Sequence, residues 1–155
     1  MHRRSHTLVS LALCLLALSA SAQPGGLPTL NEDRSRPVPL PLADAFPWYV
    51  SEAEPGQWQV TWNPAPGHYL YRHAFAFSLQ HDDTADPRPV AFTLPPGLAK
   101  TDQFFGDIEA YYDQATATLA LPAELPAGAA LWIEYQGCAD WGFCYPPQRQ
   151  AFTLP

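Results

Sequence analysis

Positive charge is scarce in this chain. Lys and Arg total 8 against 15 Asp and Glu in 155 residues, a formal net charge of −7. A surface that acidic repels phosphate backbones and anionic headgroups, which argues against nucleic-acid binding and electrostatic membrane docking. Long apolar runs are missing too: the single one, residues 8–18, is too short to span a bilayer. Eighteen prolines spread along the chain leave no room for long helices, and no stretch shows a helical apolar period. Disorder is excluded as well, because 47% of the residues are hydrophobic and 13% aromatic. An acidic, aromatic chain cut into short pieces by proline points to one all-β domain.

The N-terminus reads as an export signal. Arg3 and Arg4 precede the apolar Leu8–Leu18 run, and Ser19-Ala20-Ser21-Ala22 supplies a small-x-small cleavage site, which makes Gln23 the expected mature start. Removing residues 1–22 leaves 6 basic residues against 15 acidic ones. It also discards Cys14, whose flanking leucines do not suit a lipoprotein site, and leaves Cys138 and Cys144 in an oxidising compartment where pairing is expected. Residues 23–41, with five prolines and no apolar periodicity, read as an extended, poorly packed lead-in, and 42–155 as the domain.

Within the domain, alternation marks the strands. Trp58, Val60 and Trp62 share a face, followed by a turn at Asn63–Gly67. His68–Leu79 reads as one long strand with Tyr69, Tyr71, Phe75, Phe77 and Leu79 on one side. Val90, Phe92 and Leu94 mark another, Leu119 and Leu121 the next, then Leu131, Ile133 and Tyr135, and finally Ala151–Leu154. Six or seven short strands between Pro/Gly turns predict an antiparallel β-sandwich of immunoglobulin type. Lys100–Gln114 is less regular. In it Phe104 and Phe105 stand side by side, so in an extended segment only one of them can join a given face.

Cys138 and Cys144 enclose five residues, and Gly137 and Gly142 are expected to permit the tight backbone that brings the sulfurs together. A structural disulfide is one reading. Closing so short a loop is worth only about 2.4 kcal/mol, against about 4.7 for a hundred-residue loop, so the bridge is poorly placed as a staple and well placed for access.

The run Tyr135-Gln136-Gly137-Cys138-Ala139-Asp140-Trp141-Gly142-Phe143-Cys144-Tyr145-Pro146-Pro147 resembles the signature of the N-terminal periplasmic domain of the thiol:disulfide interchange protein DsbD. Gly67-His68-Tyr69-Leu70-Tyr71-Arg72, Asp102-Gln103-Phe104-Phe105-Gly106 and the opening strand around Ala43-Asp44-Ala45-Phe46 agree in order. The resemblance implies an immunoglobulin-like redox domain in the periplasm, a protein-disulfide reductase working as a monomer without metal, flavin or nucleotide. Its partners would be thioredoxin-like periplasmic proteins of the disulfide-isomerase or cytochrome-maturation type, and its electrons would come through a separate membrane donor. Cys144 would form the mixed disulfide and Cys138 resolve it. Phe104 would cap the cysteines, with Phe105 and Gly106 behind it and Tyr69 and Tyr71 lining the site. Asp102 would lie near the sulfurs and disfavour thiolate. Gln103, where a second acid is expected, would soften that effect, and Trp141 stands where a smaller residue is usual. The family's membrane and C-terminal thioredoxin domains are not in this sequence, which implies a stand-alone version or a fragment; the signal and the final strand favour the first.

Rival readings are a secreted binding module with a structural disulfide, in which Trp48, Trp58, Trp62, Trp132 and Trp141 would form a stacking platform, and a metal site at His68, His73 and the cysteines. Five apart on one strand, those histidines would face opposite ways.

Overall fold

A computed structural model describes residues 37–155 apart from Asp83. Among the described residues all strand pairings are antiparallel, and they form three sheets. One orders Trp48–Glu54, Gln57–Trp62, Ala115–Ala120 and Phe92–Thr93. A second orders Gln148–Thr153, Ala130–Tyr135, Ala76–Gln80 and Arg88–Pro89. The third orders Phe143–Cys144, Gly137–Ala139, His68–Tyr71, Gly106–Tyr111 and Leu98–Asp102.

Alternation builds the core as expected. Trp58, Val60 and Trp62 from the first sheet and Leu131, Ile133 and Tyr135 from the second are buried in one cluster. The Trp62 ring meets Phe75 and Tyr135 edge-on at 4.9 and 5.5 Å, locking the two layers together. The immunoglobulin-like antiparallel sandwich is therefore the architecture, and among the described residues helix is confined to single turns at Leu42–Ala45 and Arg72–Ala74.

Four local expectations are corrected. The segment around Ala43–Phe46 is a helical turn rather than a strand; it begins after Pro41, which presets φ, and delivers Phe46 into the core. The long strand from His68 to Leu79 is broken by the 3-10 turn Arg72–Ala74. Tyr69 and Tyr71 consequently belong to a separate small cluster with Cys138, while Phe75, Phe77 and Leu79 enter the main core. His68 and His73 do not share a strand either: His68 is buried in one, and His73 lies in the turn. Finally, the irregular Lys100–Gln114 stretch contains most of a hairpin, Leu98–Asp102 against Gly106–Tyr111, with Asp102 opposite Gly106.

Two strands of the third sheet are joined end to end with strands of the second. Ala130–Tyr135 runs on into Gly137–Ala139, and the bend at Arg72–Ala74 separates His68–Tyr71 from Ala76–Gln80; Tyr71 N–H bonds Gln136 C=O at 3.0 Å beside the join. The cysteine-bearing sheet is thus an extension at one end of the sandwich. The lead-in is described only from residue 37, where its residues are exposed except for a bond from Tyr145 O–H to Leu40 C=O at 2.9 Å; residues 1–36, with the expected signal, lie outside the described part.

Candidate functional site

Cys138 and Cys144 sit directly opposite each other on paired strands, 4.0 Å apart at Cα, and are joined by a disulfide. The two glycines flanking this loop have different jobs. Gly142 adopts φ +92° in the turn that reverses the chain between the cysteines, a conformation that L side chains rarely take. Gly137 is needed for space: a Cβ there would lie 2.5 Å from the Phe46 ring and from Tyr69 C=O. Only the first therefore serves the tight backbone that spacing alone suggested for both.

The two sulfurs are unequally exposed. Cys138 is fully buried, whereas Cys144 is partly open, at the edge of the sheet. Against them lies the Tyr71 hydroxyl, 2.9 Å from Cys138 Sγ and 3.6 Å from Cys144 Sγ. Tyr71 also donates to Asp102 Oδ2, and Tyr69 O–H donates to the same oxygen at 3.1 Å. The other carboxylate oxygen accepts from the N–H groups of Phe104 and Phe105 at 3.0 and 2.7 Å. A single carboxylate thus ties the hairpin turn, through one tyrosine hydroxyl, to the disulfide.

Burial pushes the Asp102 carboxyl up, but the Tyr71 hydroxyl, the Phe105 and Phe104 N–H groups and the Tyr69 hydroxyl together outweigh it and hold the group below the usual aspartate range. Asp102 is an anion here. Tyr71 is pushed well above an ordinary tyrosine, first by burial and then by its bond to that anion, and Tyr69 is raised chiefly by burial. Both remain neutral donors.

Phe104 and Phe105 are 47% and 52% exposed, so neither joins the core; both ride on the turn at the hairpin tip. The Phe105 ring packs edge-on against Tyr71 and His73, each at 4.9 Å between centroids. Phe104 instead lines a hollow next to the cysteine loop, together with Tyr69, Asp102 and Trp141. Gly106, with φ +73°, closes the turn. Every sequence-predicted site residue thus falls in one neighbourhood, but the ring in contact with Tyr71 belongs to Phe105.

Sequence reasoning missed Lys100, Tyr112 and Asp140, and weighed His73 only as a metal ligand. Lys100 was findable in principle, standing two residues before Asp102 and so on the same strand face. Trp58 and Trp62 are buried, which removes them from any stacking platform, and Trp132 is covered by the Arg149 guanidinium at 3.8 Å. His68 is enclosed between Pro66 C=O and Tyr145 O–H. Among the described residues, no helix is long and apolar enough to cross a membrane.

Comparison with known proteins places these features in a family. The profile described as "Thiol:disulfide interchange protein DsbD, N-terminal" matches residues 36–155. The chain is similar to DsbD 2 of Pseudomonas aeruginosa, 37% identical over 147 residues, and to DsbD of Escherichia coli K12, 36% identical over 121 residues. Those alignments cover 95% and 78% of this chain but only 23% and 20% of the relatives. Among solved structures it resembles the reduced DsbD N-terminal domain of Neisseria meningitidis, with 28% identity and a TM-score of 0.63 over 74% of this chain and 88% of that one. It also resembles a complex between the DsbD and PilB N-terminal domains of the same organism, with 26% identity and a TM-score of 0.58 over 74% of this chain and 85% of that one.

Proposed function

Because the chain belongs to the family of DsbD N-terminal domains, we propose that it is a thiol:disulfide exchange domain that passes reducing equivalents through the Cys138–Cys144 pair. The observation that carries this reading is the disulfide's setting: a short bridge at a sheet edge, one sulfur buried and the other partly open, linked through the Tyr71 hydroxyl to a turn that Asp102 holds by hydrogen bonds. A staple would gain more by closing a longer loop.

The chemistry is two exchanges in series. A donor thiolate attacks one sulfur of the pair, forming a mixed disulfide while the Cys138–Cys144 bond breaks and the released thiolate takes a proton. The donor's second thiol then attacks its own sulfur in that mixed bond. The donor leaves as a disulfide, and Cys138 and Cys144 remain as thiols. In the second exchange Cys144 thiolate attacks the acceptor's disulfide, and Cys138 displaces the acceptor as a dithiol, re-forming the bridge. Cys144 is the contact residue because it is the accessible sulfur, and Cys138 resolves from its buried position. Asp102, one hydroxyl away from the sulfurs, disfavours a second negative charge there while the turn is in place. Phe104, Phe105 and Gly106 form the cap, with Tyr69 and Tyr71 as its seat.

The donor is a membrane-linked thioredoxin-like protein and the acceptors are oxidised thioredoxin-like proteins of the periplasm, reached after removal of residues 1–22. Residues 42–155 form the redox domain. The test is to titrate the folded, oxidised protein with reduced thioredoxin-like donors and count the thiols released. Stoichiometric reduction without unfolding is expected. A bridge that yields only on denaturation would make it a structural staple.

A further inference from the structure

Two segments face each other beside the disulfide: the strand Leu98–Asp102 with its turn, and the cysteine loop. Between them lies a hollow of about 290 Å³. They meet across it at two places. At one, Gly142 comes so close to Gln103 that an added Cβ would lie 2.8 Å from the amide nitrogen. At the other, Lys100 Nζ donates to Asp140 Oδ1 at 3.2 Å, and Tyr112 O–H donates to the same oxygen at 2.7 Å. The ammonium also lies over the rings of Tyr69 and Tyr112, 4.8 and 5.6 Å from their centroids.

The two ends of this contact are anchored differently. Asp140 is fixed to the sandwich by its own N–H, which bonds Gly67 C=O at 2.8 Å. Lys100 belongs to the hairpin, and two residues further along the same strand Asp102 holds the turn with Phe104 and Phe105. Tyr112 first and Asp140 next keep Lys100 above the ordinary lysine range despite the opposing effect of burial, so the cation is permanent. An exposed ion pair adds little to global stability, but the same small energy acting on a local opening changes the open population by up to about fivefold.

We propose that Lys100 is a positioning residue: by gripping Asp140 it latches the cap hairpin to the cysteine loop, and release of this latch sets how fast the disulfide is uncovered for exchange. This rests on the exchange reading above. None of the three latch side chains reaches the sulfurs by a direct bond; their effect passes through the strand to Asp102.

The test measures the second-order rate at which dithiothreitol reduces the folded full chain, for wild type, Lys100→Met, Asp140→Ala, the double variant and Lys100→Arg. Each single variant is expected to react roughly two- to fivefold faster. The double variant should be no faster than Asp140→Ala alone, which already frees both Lys100 and Tyr112, and Lys100→Arg should stay near wild type. Asp140→Ala keeps the test valid if the lysine variant folds poorly. Unchanged or slower reduction in the single variants, or effects that multiply in the double, would overturn the latch while leaving exchange intact. A wild-type disulfide that dithiothreitol does not reduce in the folded state would overturn the exchange reading, and the latch with it.

Discussion

The described residues form two buried clusters, and they are held together by different physics. The main core gathers Trp62, Phe77, Leu119, Leu131, Ile133 and their neighbours from two sheets, with apolar area and ring packing as its cement. The small cluster at the end holds Tyr69, Tyr71, Ala110 and Cys138, and its outer wall is a turn attached by hydrogen bonds to a single carboxylate. Area-driven packing resists any local change, because each side chain touches many others. A wall hung on one anion can open by breaking a few bonds whose donors water can satisfy. The sandwich is the rigid frame, and the proposed cap opening is a local event confined to the end cluster.

Truncation in the frame gives the largest effect. Trp62→Ala should cost about 3–5 kcal/mol in denaturant unfolding, since it removes the ring that joins the two layers. If it cost less than about 1 kcal/mol, the two clusters would not differ in kind. Removing the bridge is a smaller loss: Cys138→Ser or Cys144→Ser should lower stability by about 2.4 kcal/mol or less and leave a folded domain.

The Asp102 anchor makes a pH prediction. Its carboxyl titrates below the ordinary value of 3.8 in the folded protein, so its contribution is fully present above that pH and is lost as pH falls through the lower folded value. Amide exchange of Phe104 and Phe105 should accelerate across that window, and Asp102→Ala should make it fast at every pH. Protection that is insensitive to both changes would mean the turn is held by something else. The smallest effect on stability is expected at the tip. Phe104→Ala should shift it by less than about 0.5 kcal/mol, while speeding reaction of the disulfide with small thiols. If Phe105→Ala alone does so, the covering ring is the one packed on Tyr71.

The same contrast explains what the sequence discloses. Trp58/Val60/Trp62 and Leu131/Ile133/Tyr135 are legible because each strand buries one face, and burial writes an alternation. Leu98–Asp102 buries no continuous face, with Leu98 itself 63% exposed, so the hairpin that carries Phe104 and Phe105 leaves no such trace. The bend at Arg72–Ala74 is hidden for another reason. Aromatic residues keep odd numbers on both sides of it, and parity cannot reveal that Tyr69 and Tyr71 serve one cluster and Phe75 and Phe77 the other. Within the site, the cysteines and the glycine of their turn are visible from spacing. The partnership of Asp102 with two tyrosine hydroxyls, and of Lys100 with Asp140, depends on strand register and has no local signature.

Cys138 and Cys144 differ in exposure, and trapping tests directly the unequal roles proposed for them. Cys138→Ser and Cys144→Ser would each be incubated with an oxidised thioredoxin-like protein, and the mixed disulfides resolved by non-reducing electrophoresis and mass spectrometry. The account predicts that Cys138→Ser accumulates a stable complex through Cys144, with the resolving thiol gone, and that Cys144→Ser traps little because its remaining sulfur is buried. Preferential capture by Cys144→Ser would contradict it.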